Sequence, residues 1–351
     1  MQGERLFPPR GLLQTRPKAA PASIFSIYQE QIMALSSTSQ NTNSKIAFLF
    51  PGQGSQSVGM GLDLYENSTA AKEIFNTADE VLERPLSKIM FEGPPEELSN
   101  TINSQPALLT TSLATLAATK ERFADLLDKD VVFMAGHSLG EYTALAASGV
   151  IDLPDAVWLV QERGRLMQEA CDDNPGSMAA VLGLEESVVE EVCRETGTQI
   201  ANINTPGQIV ISGEKDAIRR AVDKSSEKGA KKSILLKVSG AFHSYLMGSA
   251  MKGMQQALDA VQFRNPGTPI IANCTAKPMK TSSEIKEELA QQLCGCVRWE
   301  DSIKYMVNLG VSKFYEFGPG KILTNMMKRI SGDVEATPID SMSSVQEIAG
   351  S

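Results

Sequence analysis

Two short apolar runs in the first half of the chain each end in a turn. Ile46-Ala-Phe-Leu-Phe50 is followed by Pro51-Gly52, and Val131-Val-Phe-Met-Ala135 runs directly into Gly136. Apolar runs of about four to eight residues, bounded by such turn residues, are typical of buried strands. Helix-forming stretches follow and separate the two runs, over 62–83, 105–120, 141–147 and 154–170. Strands that alternate with helices in this way predict an α/β domain with a parallel sheet.

The pattern changes between residues 177 and 238, where the predicted elements follow in the order β-α-β-β-α-β. The predicted strands are 177–183, 199–203, 209–212 and 233–238, and the predicted helices are 185–195 and 214–228. This order is the ferredoxin-like unit, and α/β elements resume after it. We therefore expect an α/β-hydrolase-like large domain, formed by residues 45–174 and 239–335, with a ferredoxin-like subdomain inserted at 175–238.

The two ends of the chain differ from this pattern. We expect residues 336–351 to form a C-terminal tail. Residues 1–44 contain four basic side chains, several prolines and a polar run at 36–44, but no apolar segment of a secretory signal. Two interpretations of this segment stay open, a disordered extension that precedes a start at Met33 and an organelle transit peptide. We expect a cytoplasmic protein, or one of the plastid stroma if the second interpretation holds.

Composition narrows the classes of partner. The 351 residues include 33 basic and 42 acidic side chains, for a net charge of −9, and 42% are hydrophobic. That balance is ordinary for a soluble globular protein, and the negative charge argues against nucleic acid as a partner. No run approaches the ~18 apolar residues of a membrane span. We expect a monomer that binds neither nucleic acid nor a membrane.

Cysteines and histidines limit the chemistry further. The five cysteines are odd in number and fit no disulfide framework, so we expect reduced thiols. Cys294-Gly-Cys296 lacks the four ligands of a structural zinc site, and we expect no metal. Only two histidines are present, His137 and His243, so a general base of the histidine type must be one of them.

Ser138 lies in the run Gly136-His-Ser-Leu-Gly140, between the second buried strand and a helix. Such a strand–turn–helix exposes a serine at the top of the sheet, where the N–H groups of the helix N-terminus favour negative charge. The pattern predicts a nucleophile of acyl chemistry, and the alternative is a purely structural turn. His137 is expected to pack beneath the turn because neighbouring side chains there diverge. His243 is therefore the predicted general base, unless it is a core histidine.

Two further features accompany this serine. Gly52-Gln-Gly-Ser-Gln56 follows the first strand, where glycine-rich turns line the crevice of parallel sheets, and it lacks the phosphate-binding pattern. An oxyanion-hole donor fits a serine site better. Arg163 shares a helical face with Leu159, Leu166 and Ala170, an unusual place for a charge. Spacing leaves two explanations open, an internal salt bridge and a clamp for an anionic substrate.

Five ordered motifs together carry a resemblance that covers about residues 45–335. The chain resembles the malonyl-CoA:acyl carrier protein transacylase family of fatty-acid synthesis. The motifs are Pro51-Gly-Gln-Gly-Ser-Gln56, Gly136-His-Ser-Leu-Gly-Glu-Tyr142, Arg163-Gly-Arg-Leu-Met-Gln168, Gly240-Ala-Phe-His243 and Glu316-Phe-Gly-Pro-Gly-Lys321.

The resemblance implies a ping-pong transfer of malonyl from malonyl-CoA to acyl carrier protein through an ester on Ser138, with His243 as base and no bound cofactor. It implies oxyanion donors at the backbone of Gln53 and Leu139 and pairing of Arg163 with the malonyl carboxylate. Arg163, Phe242 and His137 are the expected substrate-binding residues. The family steadies its histidine with a main-chain carbonyl from a Pro-Val-x-Trp segment, which here reads Cys296-Val-Arg-Trp299 and assigns the carbonyl to Arg298.

Specificity and partners follow as expectations. Phe242 should crowd a 2-methyl branch and favour malonyl over methylmalonyl. Acidic acyl carrier protein should dock on a basic patch, and two clusters are candidates. One lies at 219–232 in the insert, and the other consists of Lys321, Lys328 and Arg329. The competing functions are a serine hydrolase or thioesterase, a non-enzymatic carrier-binding scaffold, and a transferase that serves polyketide synthesis.

Overall fold

The computed structural model describes residues 45–127 and 130–348. The interpretations of residues 1–44 concern a segment outside this description. The described strands are β1 (Lys45–Phe50), β2 (Val131–Gly136), β3 (Gly176–Leu182), β4 (Gln199–Thr205), β5 (Gln208–Glu214), β6 (Lys232–Leu235), β7 (Ile270–Ile271), β8 (Pro278–Met279), β9 (Val311–Phe317) and β10 (Glu335–Ile339).

Helices surround these strands, and a 3₁₀ turn forms at Tyr245–Met247. The α-helices are α1 (Leu62–Asn67), α2 (Thr69–Leu82), α3 (Leu86–Glu92), α4 (Pro95–Ser99), α5 (Thr101–Leu127), α6 (Leu139–Ala147), α7 (Leu153–Asp173), α8 (Glu186–Thr196), α9 (Lys215–Glu227), α10 (Gly248–Ala260), α11 (Ser282–Gln292), α12 (Trp299–Asn308), α13 (Ile322–Ile330) and α14 (Met342–Glu347). Among them, no helix has both the length and the apolar character that crossing a membrane requires.

The large domain is built on a six-stranded sheet of order β10-β9-β1-β2-β7-β8. Its neighbouring strands run parallel, except that β8 is antiparallel to β7. Successive side chains of a strand point to opposite faces. Phe48 and Phe50 accordingly pack with α5, α6 and α7, whereas Ala47 and Leu49 pack with α12 and α13. Helices therefore cover both faces, and β1 and β2 end together at one edge.

The inserted subdomain is a four-stranded antiparallel sheet of order β4-β5-β3-β6. Ala179, Val181, Ile209 and Ile211 pack against α8 and α9 on one of its faces. The opposite face, with Met178, Asn202, Asn204 and Val210, turns toward the large domain. This is the ferredoxin-like arrangement, and the predicted fold class is confirmed.

The two parts are joined by backbone hydrogen bonds as well as by the chain. Ile203 N–H donates to the Val297 carbonyl at 2.9 Å, and Val297 N–H donates to the Ala201 carbonyl at 2.8 Å. On the outer side of α13, Arg329 donates to Gln208 Oε1 at 2.6 Å. These contacts fix the inserted sheet over the carboxyl ends of β1 and β2.

Two predicted boundaries are corrected. Ser68 interrupts the predicted helix 62–83, because its hydroxyl accepts a hydrogen bond from Ala71 N–H and starts α2. The segment 336–351 is expected to be a tail, but its residues up to 347 form most of β10 and all of α14. These residues belong to the large domain because β10 pairs with β9 and Val345 is fully buried.

Candidate active site

A sharp turn carries the chain from β2 into α6. A Cβ atom on Gly136 would collide with the Gly140 backbone, and one on Gly140 would collide with the Phe50 carbonyl oxygen. Only glycine allows both close approaches. Ser138, between them, has φ 52° and ψ −104°, a conformation that costs about 1–3 kcal/mol. The turn thereby places Ser138 in the lining of the cleft between the two parts of the protein.

His243 meets this hydroxyl, with Nε2 2.8 Å from Ser138 Oγ. Its Nδ1 lies 2.8 Å from the main-chain carbonyl of Gln292. Because a carbonyl oxygen only accepts, Nδ1 carries the hydrogen and Nε2 presents its lone pair to Oγ. Burial, followed by the positive charge of Arg163, lowers the pKa of His243 to about 3. The imidazole is therefore neutral, as a general base must be, at pH values near 7.

The carbonyl that orients His243 is a correction to the sequence analysis. Arg298 is the residue at the N-terminal cap of α12, and its carbonyl accepts from the amide and hydroxyl of Ser302, at 3.0 and 2.9 Å. A cap residue's carbonyl takes the first hydrogen bond of its helix. The prediction for Arg298 is therefore wrong, and Gln292, at the end of α11, supplies the carbonyl instead.

Arg163 reaches the nucleophile from α7 and is fully buried. Nη1 donates to Gln105 Oε1 at 2.6 Å, and Nη2 donates to Gln292 Oε1 at 2.8 Å and to Ser138 Oγ at 3.2 Å. Within residues 45–127 and 130–348, no carboxylate forms an ion pair with it, and Nε has no acceptor. The salt-bridge explanation is therefore wrong for the described chain. A buried cation with neutral partners and a spare N–H is suited to bind an anionic group.

Sequence reasoning missed the amide side chains around this site. Gln105 and Gln292 hold Arg163, and Asn273 Oδ1 accepts from Ser138 N–H at 2.7 Å. Amides neither titrate nor form a spacing pattern, so the sequence carried little sign of them. The one available signal was Gln105 beside Pro106, since a polar residue in a buried helical stretch needs a partner.

The expected oxyanion donors lie near the turn. Ser138 N–H is engaged by Asn273 and cannot serve. Leu139 is the first residue of α6, and the first N–H groups of a helix have no partner within it. Gln53 lines the same cleft, and its side chain is tied to Ser104 Oγ at 3.0 Å. The two backbones therefore remain the candidate donors for an anionic oxygen.

His137 and Phe242 both line the cleft. His137 Nε2 donates to Asn204 Oδ1 at 2.9 Å, and its ring lies 5.6 Å from that of Trp299. This residue thus joins the turn to the inserted sheet, as well as bordering the cleft. Phe242 is 8% exposed, so its ring presents only a small surface beside His243.

The cleft itself has a volume of about 380 Å³, and both parts of the protein line it. None of the residues that line it is acidic, although the whole chain carries a net charge of −9. Within the described ranges, no group of three or more His, Cys, Asp or Glu side chains is arranged to hold a metal ion. The site thus combines a serine and a neutral histidine in a cleft whose lining has no carboxylate, with the buried guanidinium of Arg163 next to the serine oxygen.

Comparison with known proteins places this arrangement in a family. A model of the acyl transferase domain matches residues 47–346. The malonyl CoA-acyl carrier protein transacylase of Bacillus subtilis (strain 168) is 47% identical over 293 residues, which are 82% of this chain and 91% of that protein. The chain belongs to the malonyl CoA-acyl carrier protein transacylase family. It is an acyltransferase, so the predicted family and enzyme class are confirmed.

Solved structures of this transacylase family share the fold. An acyl-carrier-protein S-malonyltransferase from Bartonella henselae is 43% identical, with a TM-score of 0.84 over 87% of this chain and 98% of that one. A malonyl-transacylase in complex with its type II PKS acyl carrier protein is 37% identical, with a TM-score of 0.82 and coverage of 87% and 98%.

Proposed function

We propose that this transacylase moves a malonyl group from malonyl-CoA to the phosphopantetheine thiol of acyl carrier protein, and that it supplies malonyl carrier protein for fatty-acid synthesis. The group would travel as an ester of Ser138. The names of the relatives support the substrates, and the complex with a carrier protein supports the partner. The arrangement of Ser138, His243 and Arg163 supports the route.

The buried guanidinium of Arg163, which forms no ion pair within the described residues, is the observation that carries this proposal. Its guanidinium is buried, without a carboxylate partner in the described chain, and lies 3.2 Å from the nucleophilic oxygen. Burial of a charge is costly unless an opposite charge joins it. A malonyl group on Ser138 would bring a carboxylate within reach of Nε and Nη2, whereas an acetyl group would not.

The first half-reaction forms the ester. Ser138 Oγ attacks the thioester carbonyl while its proton passes to His243 Nε2. The negative charge moves to the carbonyl oxygen, which the backbone N–H groups of Gln53 and Leu139 would stabilise. The C–S bond then breaks, and the coenzyme A sulfur takes the proton from Nε2. His243 is neutral again, and the malonyl group is bound to Ser138.

The second half-reaction repeats these steps in reverse. The carrier thiol gives its proton to His243 Nε2 and its sulfur attacks the ester carbonyl. The bond to Ser138 Oγ breaks, and the oxygen recovers the proton from the imidazole. The same base and the same donors serve both halves, so no cofactor is consumed.

Arg163 can be tested by exchanging the acyl group. Arg163→Ala should lower kcat/KM for malonyl-CoA by about 100-fold or more, because charge-assisted hydrogen bonds contribute about 1.5–3 kcal/mol each. The kcat/KM for acetyl-CoA, which has no carboxylate, should fall much less in the same variant. Initial rates of transfer to carrier protein measure both. Arg165→Ala is the matched control, since Arg165 lies on the same helix but pairs with Glu162 and Glu169. Equal losses for malonyl and acetyl would contradict the assignment.

The carrier protein would approach over α13 rather than over the insert helices. In α9 and at its C-terminal cap, Arg219 pairs with Asp216, Lys224 with Glu195, and Lys228 with Glu191. These residues also lie on the helical side of the inserted sheet, away from the cleft. Among the other residues of the insert cluster, Arg220 donates to the Thr196 carbonyl at 3.2 Å. Lys231 and Lys232 are at the start of β6, about 13 Å along the strand from cleft-lining Leu236.

Helix α13 borders the cleft directly. Ile322 and Met326 line it, and exposed Lys321 and Lys328 flank them. The helix and its preceding residue contain three basic side chains and no acidic one. An acidic carrier protein seated there would have its phosphopantetheine arm at the mouth of the cleft.

A further inference from the structure

Glu141 is a fully buried carboxylate in the first turn of α6, three residues after Ser138. Oε1 accepts from Asn273 N–H at 2.9 Å, and Oε2 accepts from Gln292 Nε2. In residues 45–127 and 130–348, no basic side chain forms an ion pair with it. Burial and the nearby Glu288 raise the pKa of Glu141 well above its usual range, although these two donors and Arg163 act in the opposite direction. Each of its two oxygens nonetheless faces an N–H group that can only donate, so in this geometry Glu141 acts as an acceptor on both sides.

Both donors to Glu141 hold the nucleophile in its strained conformation. Asn273 Oδ1 accepts from Ser138 N–H at 2.7 Å, and its Nδ2 donates to the Gly136 carbonyl at 2.8 Å. Gln292 Nε2 donates to the Ser138 carbonyl at 2.9 Å. The amide and the carbonyl of Ser138 are therefore each held by the side chain of a residue that Glu141 contacts, through the backbone N–H of Asn273 and through the side chain of Gln292.

Gln292 also reaches the other two groups of the site. Its main-chain carbonyl accepts from His243 Nδ1, and its Oε1 accepts from Arg163 Nη2. A side-chain amide has one accepting and one donating end. Arg163 requires the oxygen, and the Ser138 carbonyl requires the nitrogen. A carboxylate beside Nε2 allows only this orientation, because the flipped amide would place two oxygens together.

We propose that Glu141 is a positioning residue, which orients Gln292 and Asn273 so that Ser138, His243 and Arg163 meet in reactive geometry. The proposal rests on the roles of Ser138 and His243 given above. Errors of about 1 Å in such a site can cost ~100-fold in rate, so a residue that never touches substrate can control the reaction.

Glu141→Gln tests this with little change of shape. The new amide must direct a donor at either Asn273 N–H or Gln292 Nε2, each of which is itself a donor. We expect single-turnover malonylation of Ser138 to slow by about 30- to 100-fold, with KM changed less than about threefold because Gln105 still holds Arg163. Glu162→Gln is the matched control. It changes another fully buried carboxylate, which accepts from Arg165 at 2.9 Å and lies outside the hydrogen bonds of Gln292 and Asn273 described above.

The two histidines provide a readout of geometry. In a histidine-¹⁵N-labelled sample, His243 should show the Nδ1–H tautomer and His137 the Nε2–H tautomer, according to their partners. Glu141→Gln should alter the His243 signals and leave those of His137 unchanged. A merely structural loss of stability would affect both rings, or neither.

Gln292→Met extends the test to a variant in which Glu141 is intact. It should slow malonylation as much as Glu141→Gln does. The double variant should be no slower than Gln292→Met alone, because both changes disrupt the same hydrogen bond between Glu141 and Gln292. The proposal is overturned if the rate of Glu141→Gln stays within threefold of wild type, if Glu162→Gln loses as much activity, or if the losses of Glu141→Gln and Gln292→Met multiply in the double variant. Should Glu141→Gln not fold, a wild-type rate in Gln292→Met overturns it equally. If the wild-type protein takes up no malonyl group, the proposed function fails, but the His243 signals still report on the positioning.

Discussion

Ser138 Oγ lies between a group that accepts and a group that donates. His243 Nε2 at 2.8 Å takes its hydrogen bond, while Arg163 Nη2 at 3.2 Å donates to the same oxygen. As the proton leaves, the developing negative charge is already beside a cation in a buried site, where such interactions are strong. In the proposed reaction Arg163 would therefore act twice, once toward the nucleophile and once toward the substrate carboxylate.

Phe242 is the residue expected to distinguish acyl chains. It precedes His243 and lines the cleft, and its ring should crowd a 2-methyl branch. One methyl group is worth roughly 1–3 kcal/mol in such a pocket, so kcat/KM for malonyl-CoA should exceed that for methylmalonyl-CoA by about 10- to 200-fold. Phe242→Ala should narrow the ratio. Equal kcat/KM values in the wild-type protein would contradict this role.

At this scale, the sequence identified the reacting side chains better than the residues that orient them. Ser138 was predicted from its turn and His243 from the scarcity of histidines, and the structure brings them together. Gln292 was missed, and Arg298 was chosen in its place. Which carbonyl meets the imidazole depends on the path of the loop between α11 and α12, and local sequence does not specify that path. The roles of all these residues remain predictions.

Helix α13 is an element whose position has a traceable cause. Glu316, buried at the end of β9, accepts from Leu323 N–H at 3.0 Å and from the amide and hydroxyl of Thr324, both at 2.7 Å. This carboxylate caps the start of the helix and fixes it beside the cleft. The motif Glu316-Phe-Gly-Pro-Gly-Lys321 therefore has a structural explanation, which is to hold the basic helix at the active-site mouth.

Charge reversal tests the docking function of α13. Lys321→Glu/Lys328→Glu should raise KM for acyl carrier protein by about tenfold at low ionic strength, and less at high salt, because exposed charges are screened there. Malonylation of Ser138 by malonyl-CoA should stay unchanged. Lys231→Glu/Lys232→Glu is the control with the same change of charge. A larger increase in the control, or a rise of KM for malonyl-CoA only, would contradict the proposed surface.

Among the elements, central strands were predicted more accurately than edges. β1 and β2 are continuous apolar runs at the centre of the sheet, and their predicted and observed limits differ by one residue. β10 was missed because it is a half-exposed edge strand that contains Pro338, and an edge strand lacks the clear apolar pattern. Its pairing with β9 is a tertiary contact that no local pattern reveals.

At the scale of the whole molecule, the inserted subdomain covers the carboxyl ends of β1 and β2. The insertion was predicted from the sequence alone, because the order of predicted strands and helices changes at residue 177. The sequence did not reveal that the sheet face with Met178 and Val210 would close the cleft, because which face turns inward depends on packing between the two parts. A cleft without carboxylates, in a chain of net charge −9, suits two anionic substrates.

The most direct measurement of the central claim is the intact mass of the protein after it is mixed with malonyl-CoA. The wild-type protein should gain the mass of one malonyl group and lose it again when holo-acyl carrier protein is added, with malonyl carrier protein as the product. Ser138→Ala should gain nothing. A malonyl adduct that persists in Ser138→Ala, or one that is released mainly as free malonate in the presence of carrier protein, would contradict the account.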